Sequence, residues 1–130
     1  MNLMHKKIMY IFDTIFKVMG NSNLYKGSLN TIILKLLEES GKMYGYEITQ
    51  KVKDITKGEL QITEGALYPA LHKLEAEGLL DVEMQKVDNR LRKYYKLTEK
   101  GTTETANRLS ELEEYIRTMQ TIINPNWSIN

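Results

Sequence analysis

A change of hydrophobic period at Gly78 constrains the fold of this chain more than any other feature. Within residues 63–77, leucines recur at spacings of four and three, which is the period of an amphipathic helix. Apolar and polar residues then alternate over 80–85 and again over 91–97, which is the period of a strand. Between these strands, Asp88-Asn89 suits a tight turn because both residue types tolerate positive φ. The sequence therefore predicts a helix that leads directly into a β-hairpin.

Pro69 stands inside the helical segment, where a proline removes one backbone hydrogen bond and crowds the carbonyl of Gly65. Two starting points for this helix are open. If Thr63 caps the helix, the first turn is bent or loosened around the proline. If the helix starts near Tyr68, Pro69 is a favourable first-turn residue. The first alternative makes the proline a determinant of helix shape, and the second makes it a start signal.

Four further segments have helical spacing of their apolar residues. They cover residues 3–19, 28–39, 45–55 and the stretch from Thr98 to Pro125. Ser28 is expected to cap the second of them. The residues expected to face inward from the third are Tyr46, Ile48, Val52 and Ile55. Residues 60–62 have room only for a minimal strand. With five helical segments and one pair of strands, the predicted fold class is mainly α with a small β-hairpin.

The first and last helices carry apolar faces that a small domain does not cover by itself. The stripe on the first helix is wide enough to pack on the core, on a partner chain or on a membrane surface, and we favour the partner chain. The last helix has a heptad seam that closes either against the first helix or across a two-fold axis. Both faces predict a homodimer. The residues expected at its interface are Ile8, Ile11, Phe12, Ile15, Phe16, Leu109, Leu112, Ile116, Met119 and Ile123.

The composition argues against several chemical functions. Among its 130 residues the chain has no cysteine, and its two histidines, His5 and His72, stand far apart. No nucleophile, acid–base pair or phosphate-binding glycine loop is evident, so we expect neither an enzyme nor a metal or cofactor site. The opening segment resembles a signal peptide, but Asp13 and Lys17 interrupt its apolar run. We therefore expect a cytoplasmic protein without a membrane span.

Basic residues concentrate in the hairpin, although the whole chain has a net charge of only +1. Residues 86–96 hold five basic side chains against one acidic side chain. Such a cluster either attracts an anionic partner or protects an exposed strand edge from aggregation. Tyr94 and Tyr95 point to opposite faces of the second strand, so at least one of them should lie in the core.

Four blocks of sequence follow one another over residues 26–101. They are KGSLNTIILKLL, YGYEITQKV, TEGALYPALHKLEAEGLL and RKYYKLTEKG. In content and order they resemble the conserved blocks of PadR-like transcriptional regulators. The resemblance implies a winged helix-turn-helix domain over 24–97 and a dimerisation helix and tail over 98–130, and we assign the N-terminal helix and linker to 1–23. The turn of the wing departs from the family's glycine-rich pattern, since it reads Val87-Asp88-Asn89-Arg90-Leu91.

The same resemblance implies a homodimeric repressor that binds double-stranded DNA. Its two recognition helices would lie about one DNA turn, ~34 Å, apart on a pseudo-palindromic operator. The helix after Thr63 would enter the major groove, the start of the helix after Tyr44 would meet phosphates, and the hairpin would serve as the wing. The expected DNA contacts are Tyr44, Thr63, Glu64, Gly65, Ala66, Tyr68, His72, Lys73, Arg90, Arg92 and Lys93.

Some members of this family bind flat aromatic molecules between subunits. A small hydrophobic or aromatic effector is therefore an expected partner, and Tyr115 and Met119 are the residues nearest to such a space, with core packing as their alternative role. A different function is also compatible with the sequence. The chain would then be a winged-helix protein-interaction module that dimerises without specific DNA binding and whose basic wing is only solvated.

Overall fold

The computed structural model describes residues 3, 6, 23–124 and 126. Apart from Leu3 and Lys6, which are helical, the helix expected over 3–19 lies outside the described residues. The same is true of the proposed interface residues Ile8, Ile11, Phe12, Ile15 and Phe16. The elements in chain order are α1 (Asn23–Ser40), β1 (Lys42–Tyr44), α2 (Gly45–Ile55), α3 (Glu64–Ala76), β2 (Leu80–Val87), β3 (Arg90–Leu97) and α4 (Glu99–Ile123).

The three strands form an antiparallel sheet in the order β1-β3-β2, and Met43 of β1 pairs with Tyr95 of β3. Asp88 and Asn89 join β2 to β3 with φ values of 49° and 61°. Positive φ at both central residues gives the turn a twist that matches a hairpin. The predicted hairpin and its turn are therefore confirmed. Tyr95 is buried and Tyr94, on the opposite face, is half-buried, as the alternation predicts.

The third strand is β1, and the expectation of a minimal strand over 60–62 is wrong. Those residues form an irregular connection between α2 and α3 in which Leu60 and Ile62 are buried. The hydroxyl of Thr56 accepts from the N–H of Leu60 at 3.0 Å, so this backbone turns back on α2. Gly41, with φ of 84°, ends α1, and β1 then pairs with the remaining edge of β3.

The first described helix, α1, begins at Asn23, so the expectation that Ser28 caps a helix is wrong. Ser28 and Leu29 are both buried within α1. Gly27, just before them, is helical although glycine has low helix propensity and serine favours caps. Burial of this turn in the domain therefore outweighs two local signals against helix.

In α2, the expectation is correct for Ile48 and Val52 and wrong for Tyr46 and Ile55. The first two are buried, whereas the last two are exposed. Tyr46 lies two positions before Ile48, which is about 200° around the helix axis, so the two side chains point in opposite directions. Ile55 is the last residue of α2 and lies past the edge of the core.

The recognition helix expected from the sequence is α3, and its three leucines are fully buried in the core. It begins at Glu64, and the hydroxyl of Thr63 accepts from the N–H of Ala66 at 3.2 Å as an N-cap. The earlier of the two possible starts is therefore the one observed. Pro69 lies in the interior of the helix.

The longest element, α4, has 25 residues and packs on α1. Its N-cap is Thr98, whose hydroxyl accepts from the N–H of Gly101 at 2.9 Å. Of the seam residues, Ile123 is exposed. The half-buried ones are Leu109, Leu112, Ile116 and Met119. Within residues 23–124, no helix combines the length and the apolar character that a membrane span requires.

Candidate nucleic-acid interface

The exposed end of α3 is built from small or short residues. Gly65 is exposed, and a Cβ at this position would have no atom within 4 Å. Because Pro69 has no N–H, the carbonyl of Gly65 has no donor four residues along the helix. Thr63 and Glu64 are exposed before it, and Ala66 is half-buried after it. The first turn of α3 therefore presents backbone, the short side chains of Thr63 and Ala66, and the carboxylate of Glu64 to an approaching surface.

The ring of Tyr68 connects the first turn of α3 to the start of α2. A Cβ added to Gly45 would lie 2.8 Å from the Tyr68 hydroxyl oxygen. Gly45 is buried, while Tyr68 keeps 39% of its surface exposed. A larger residue at position 45 would displace the ring, so glycine permits the close approach of the two helices. Tyr68 thus lies beside both helix starts and remains accessible.

Tyr44 stands where β1 passes into α2. Its backbone N–H donates to the carboxylate of Glu47 at 3.2 Å, which is one half of a capping box. Its ring meets Tyr94 edge to face, with centroids 5.4 Å apart and planes at 74°. The guanidinium carbon of Arg92 lies 4.4 Å from the centroid of the same ring, within the range of cation–π attraction. Tyr44 therefore connects α2 to the β2–β3 hairpin, which we call the wing.

The three wing cations expected at DNA divide between two faces of the sheet. Arg90 and Arg92 lie on the outer face, opposite the face on which Tyr95 is buried. Lys93 lies on the inner face, where its ammonium is 3.7 Å from the carboxylate of Glu75 in α3 and 5.3 Å from the centroid of the Tyr95 ring. The wing therefore offers two cations to one side, and the third ties the wing to α3.

The outer face also carries a lysine whose charge is paired with a carboxylate. Lys42 lies 3.3 Å from the carboxylate of Glu83 and 5.6 Å from the centroid of the Tyr94 ring. The hydrogen bond from Lys42, and then its charge, hold the pKa of the Glu83 carboxyl below its ordinary value of 4.5. Among the described residues, Arg90 and Arg92 have no such carboxylate partner. Their charge is therefore available to an anionic ligand.

The structure brings most of the expected DNA-contact residues into one surface. None of the eleven is buried. Tyr68 joins the tip of α3 to the start of α2, and the contact of Arg92 with Tyr44 joins the start of α2 to the wing. His72 and Lys73 are exposed further along α3. We call the tip of α3, the start of α2 and the outer face of the wing together the basic surface.

Sequence reasoning missed Tyr46, which is 60% exposed in the first turn of α2, the helix start that forms part of the basic surface. The spacing of Ile48 and Val52 was enough to predict that Tyr46 is exposed, because it leaves Tyr46 on the opposite side of the helix. Met84 and Leu91, which are exposed on the wing, were also missed. Strand alternation placed them inward, and only the structure shows that this end of the hairpin extends past the core.

The expected effector residues lie in the second half of α4 and are not part of the basic surface. Tyr115 is exposed and Met119 is half-buried. Beside Met119, Gln120 is buried, and its Nε2 is the buried side-chain atom that lacks a hydrogen-bond partner within the described part of the chain. In residues 23–124, no group of histidine and carboxylate side chains is arranged to hold a metal ion.

Two helices joined by a short connection, followed by a hairpin that extends their exposed surface, define a winged helix-turn-helix protein. The transcriptional regulator PadR-like family matches residues 33–107, which is more than half of the chain. The chain therefore belongs to the PadR-like family of transcriptional regulators.

Individual proteins and solved structures are also similar to this chain. The chain is 34% identical over 102 residues to an uncharacterized protein of Lysinibacillus sphaericus, covering 75% of this chain and 93% of that protein. A transcriptional regulator from Clostridium thermocellum superposes with a TM-score of 0.69 at 30% identity, covering 82% of this chain and all of the other. Bacillus subtilis PadR, solved in complex with operator DNA, superposes with a TM-score of 0.57 at 29% identity, covering 62% of this chain and 46% of the other.

Proposed function

We propose that this chain is a homodimeric repressor that binds a pseudo-palindromic operator in double-stranded DNA. The observation that carries the proposal is the continuity of the basic surface from the tip of α3 to the wing. Near its middle, Arg92 has a fixed position over the Tyr44 ring and no carboxylate partner among the described residues. A guanidinium held in this way can form two parallel hydrogen bonds to a phosphate.

Each part of the basic surface has a distinct role in this proposal. The first turn of α3 enters the major groove, where short side chains let the backbone approach the base edges. The residues that reach the bases are Thr63, Glu64, Gly65 and Ala66. Around them, phosphate contacts fix the orientation of the protein on the duplex. The residues that make those contacts are Tyr68, His72 and Lys73, while the ring of Tyr44 positions Arg92 for its own phosphate contact.

The wing contributes its outer face. Arg90 lies at the exposed end of β3, and Arg92 lies closer to α2, so together they can follow the DNA backbone or enter the minor groove. Lys93 reaches DNA only if its ion pair with Glu75 opens. Both side chains of that pair are 41% exposed, and such surface pairs contribute only about 0–1 kcal/mol, so opening costs little.

The Bacillus subtilis PadR complex supports DNA as the partner, because that relative was solved with operator DNA. For this chain, operator binding also implies action in the cytoplasm. The seam on α4 supports the dimer, since within one chain four of its residues are only half-buried and the fifth, Ile123, is exposed. A two-fold dimer would present two copies of α3 to successive turns of the duplex, about 34 Å apart.

A small hydrophobic or aromatic effector completes the proposal. Tyr115 is exposed and Met119 is half-buried on α4, so a ligand between subunits could use the ring of one and the thioether of the other. Binding there would change the packing of α4 and release the operator. A panel of small aromatic compounds added to a preformed protein–DNA complex would test this part of the proposal.

The direct test is fluorescence anisotropy of the purified protein with the DNA upstream of its own gene. A shuffled duplex of the same length and base composition is the control, and both are titrated with salt. We expect tighter binding to the native duplex, with log affinity falling by about 0.9 per phosphate neutralised for each tenfold rise in salt. Sedimentation velocity would report whether one or two chains bind each duplex.

Two outcomes would contradict the proposal. Equal affinity for both duplexes would show a binder without operator specificity. An absence of binding at low salt would favour the alternative role of a winged-helix module that contacts another protein, with the wing cations only solvated.

A further inference from the structure

Three hydrogen bonds join the end of α3 to the start of α4. The N–H of Thr98 donates to the carbonyl of Leu79 at 3.0 Å, and its hydroxyl donates to the carbonyl of Gly78 at 2.7 Å. The ammonium of Lys100 donates to the carbonyl of Glu77 at 2.9 Å. Three successive carbonyls after α3 are therefore all bonded by residues at the start of α4. We call this contact the junction.

The backbone on the α3 side of the junction is fixed by its own hydrogen bonds. Gly78 has φ of 78°, and its N–H donates to the carbonyl of Glu75 at 2.9 Å. The N–H of Leu79 donates to the carbonyl of Leu74 at 3.0 Å. Together these two bonds form a Schellman motif, which ends a helix in one defined direction. The carbonyls that α4 binds therefore have set positions relative to the axis of α3.

Close packing and an ion pair complete the junction. Gly101 is buried against the backbone of Leu79, and a Cβ at Gly101 would overlap the Leu79 carbonyl oxygen. Further along α4, Arg108 lies 3.3 Å from the carboxylate of Glu77 and 3.1 Å from that of Glu104. Glu77 is thus held through both its carbonyl and its carboxylate. These contacts restrict both rotation and translation of α4 relative to α3.

The length of α4 makes the angle at the junction important. With 25 residues, α4 is about 37 Å long at about 1.5 Å per residue. A rotation of about 5° at the junction would move the far end of such a helix by about 3 Å. The proposed dimer seam begins at Leu109 and ends at Ile123, so it lies in the distant part of α4. A fixed angle at the junction therefore fixes α3 relative to the dimer axis.

We propose that the junction sets the distance between the two recognition helices of the dimer, and thereby the half-site spacing that the protein selects. Lys100 and Arg108 are then positioning residues, since they act on DNA through α3 and not by contact. This inference rests on the proposed function, because it requires a dimer on two half-sites. This proposal assigns specificity for the operator to residues that lie outside the basic surface.

The test compares wild type with the double variant Lys100→Met/Arg108→Met. The wild type is first used to select duplexes from a random library. These duplexes are then remade so that the spacer between their two half-sites is one or two base pairs shorter or longer. Each base pair changes the separation by about 3.4 Å and the rotation by about 35°. We expect the wild type to lose at least about tenfold in affinity per base pair, and the double variant less than about threefold. The junction of the double variant keeps the Thr98 hydrogen bonds and the Gly101 packing, but without the Lys100 and Arg108 contacts its angle can adjust more easily.

Two controls separate positioning from charge and stability. The variant Lys35→Met/Lys57→Met also loses two cations, at sites on α1 and after α2, and should keep the wild-type spacing profile. Binding to a duplex with a single half-site should be equal in wild type and in Lys100→Met/Arg108→Met. Thermal unfolding of all three proteins would show that the variants remain folded at the assay temperature.

A second measurement needs no DNA. Because the sequence has no cysteine, His72→Cys places a single spin label on the exposed side of α3. In the labelled dimer, electron–electron distances report the separation of the two recognition helices. We expect one narrow distance distribution with the intact junction and one at least about twice as wide in the Lys100→Met/Arg108→Met background.

The outcomes distinguish this inference from the proposed function. A wild type that binds no duplex, or gives no distance between labels, would overturn the proposed function and the inference with it. A double variant that binds DNA with an unchanged spacing profile and an unchanged distance distribution would overturn the inference alone.

Discussion

The guanidinium carbon of Arg92 lies 4.4 Å from the centroid of the Tyr44 ring, and this contact joins the wing to the start of α2. An arginine side chain loses substantial rotamer entropy when it is fixed in a complex. Because the Tyr44 ring already restricts Arg92, part of that loss occurs on folding and not on binding. In the proposed complex, the tyrosine would therefore contribute to DNA affinity through its ring, by holding a cation in place.

Substitutions at Tyr44 should separate the ring from the hydroxyl. Tyr44→Phe keeps the aromatic face and should change DNA affinity by less than about twofold. Tyr44→Leu removes the face and should weaken binding by about fivefold, which corresponds to about 1 kcal/mol of cation–π attraction. Anisotropy titrations at one salt concentration would measure both. Equal losses in the two variants would show that the hydroxyl itself contacts DNA.

A double-mutant cycle provides the control for this prediction. Arg92→Met should weaken binding by about tenfold, the loss of one charge-assisted contact of about 1.4 kcal/mol. If Tyr44 acts only by holding Arg92, adding Tyr44→Leu to Arg92→Met should have little further effect. Fully additive losses would mean that the two residues contact DNA independently.

Replacing Gly65 by alanine should have opposite effects on the stability of the fold and on DNA binding. It is exposed in the first turn of α3 and a Cβ there meets no neighbour, so Gly65→Ala should stabilise the fold by about 0.5–1 kcal/mol. In the proposed complex, the same methyl group would lie between the backbone and the DNA, so affinity should fall by about 1 kcal/mol or more. Chemical denaturation and anisotropy would measure the two quantities on one preparation.

The matched control is Gly27→Ala. Gly27 is also helical and exposed, and a Cβ there would likewise have no atom within 4 Å, but it lies in α1 outside the basic surface. This variant should show a similar gain in stability with no change in DNA affinity. If both alanine variants bound DNA equally well, the tip of α3 would not approach the duplex closely.

The helices and the hairpin could be predicted from sequence because their signals are local. The leucine spacing of α3 and the Asp88-Asn89 turn depend only on residues close in the chain. The strand β1 could not be predicted, because Lys42–Tyr44 is short and its pairing with β3 joins residues far apart in sequence. For the same reason, the burial of Ser28 and Leu29 inside α1, which begins before Gly27, was not visible in the local pattern.

In the candidate site, too, local features could be predicted from sequence and long-range contacts could not. The residues of the α3 tip follow from the position of the helix start, and the family resemblance supplied its role. The alternation of a strand also implies that Arg92 and Lys93 lie on opposite faces. It does not imply that Lys93 reaches Glu75 in α3, or that Arg92 lies over a ring contributed by β1. Both contacts depend on the arrangement of the sheet against the helices.

The pKa of Glu83 should respond to removal of Lys42. In the folded chain the Lys42 hydrogen bond and charge favour the carboxylate, so the pKa lies below 4.5. The folded state therefore binds fewer protons than the unfolded state, and this contribution to stability is present above the unfolded pKa and is lost as pH falls through the folded pKa. Lys42→Met should raise the pKa of Glu83 towards 4.5, as measured by NMR titration of its carboxyl carbon.

Lys96→Met is the control for that titration, because Lys96 lowers the pKa of Glu83 through its charge alone, with no hydrogen bond, and less than Lys42 does. It should raise the pKa of Glu83 less than Lys42→Met does. An equal rise in both variants would mean that the general positive charge of the outer face, and not the specific pair, holds the carboxylate. Since Glu83 is exposed, the effect of either variant on overall stability should be small.

Gly101→Ala should be the most damaging small substitution at the start of α4. The added Cβ would overlap the carbonyl oxygen of Leu79, and this is backbone that is already fixed by the end of α3, so neither side can adjust cheaply. We expect a loss of about 2 kcal/mol or more in the free energy of unfolding. Thr103→Ala, at an exposed site in the same turn region, should cause no loss because alanine is the better helix former. Denaturant unfolding of both variants would measure the difference. Similar stabilities would mean that α4 can shift freely on Leu79, which would also contradict a junction that fixes the angle between α3 and α4.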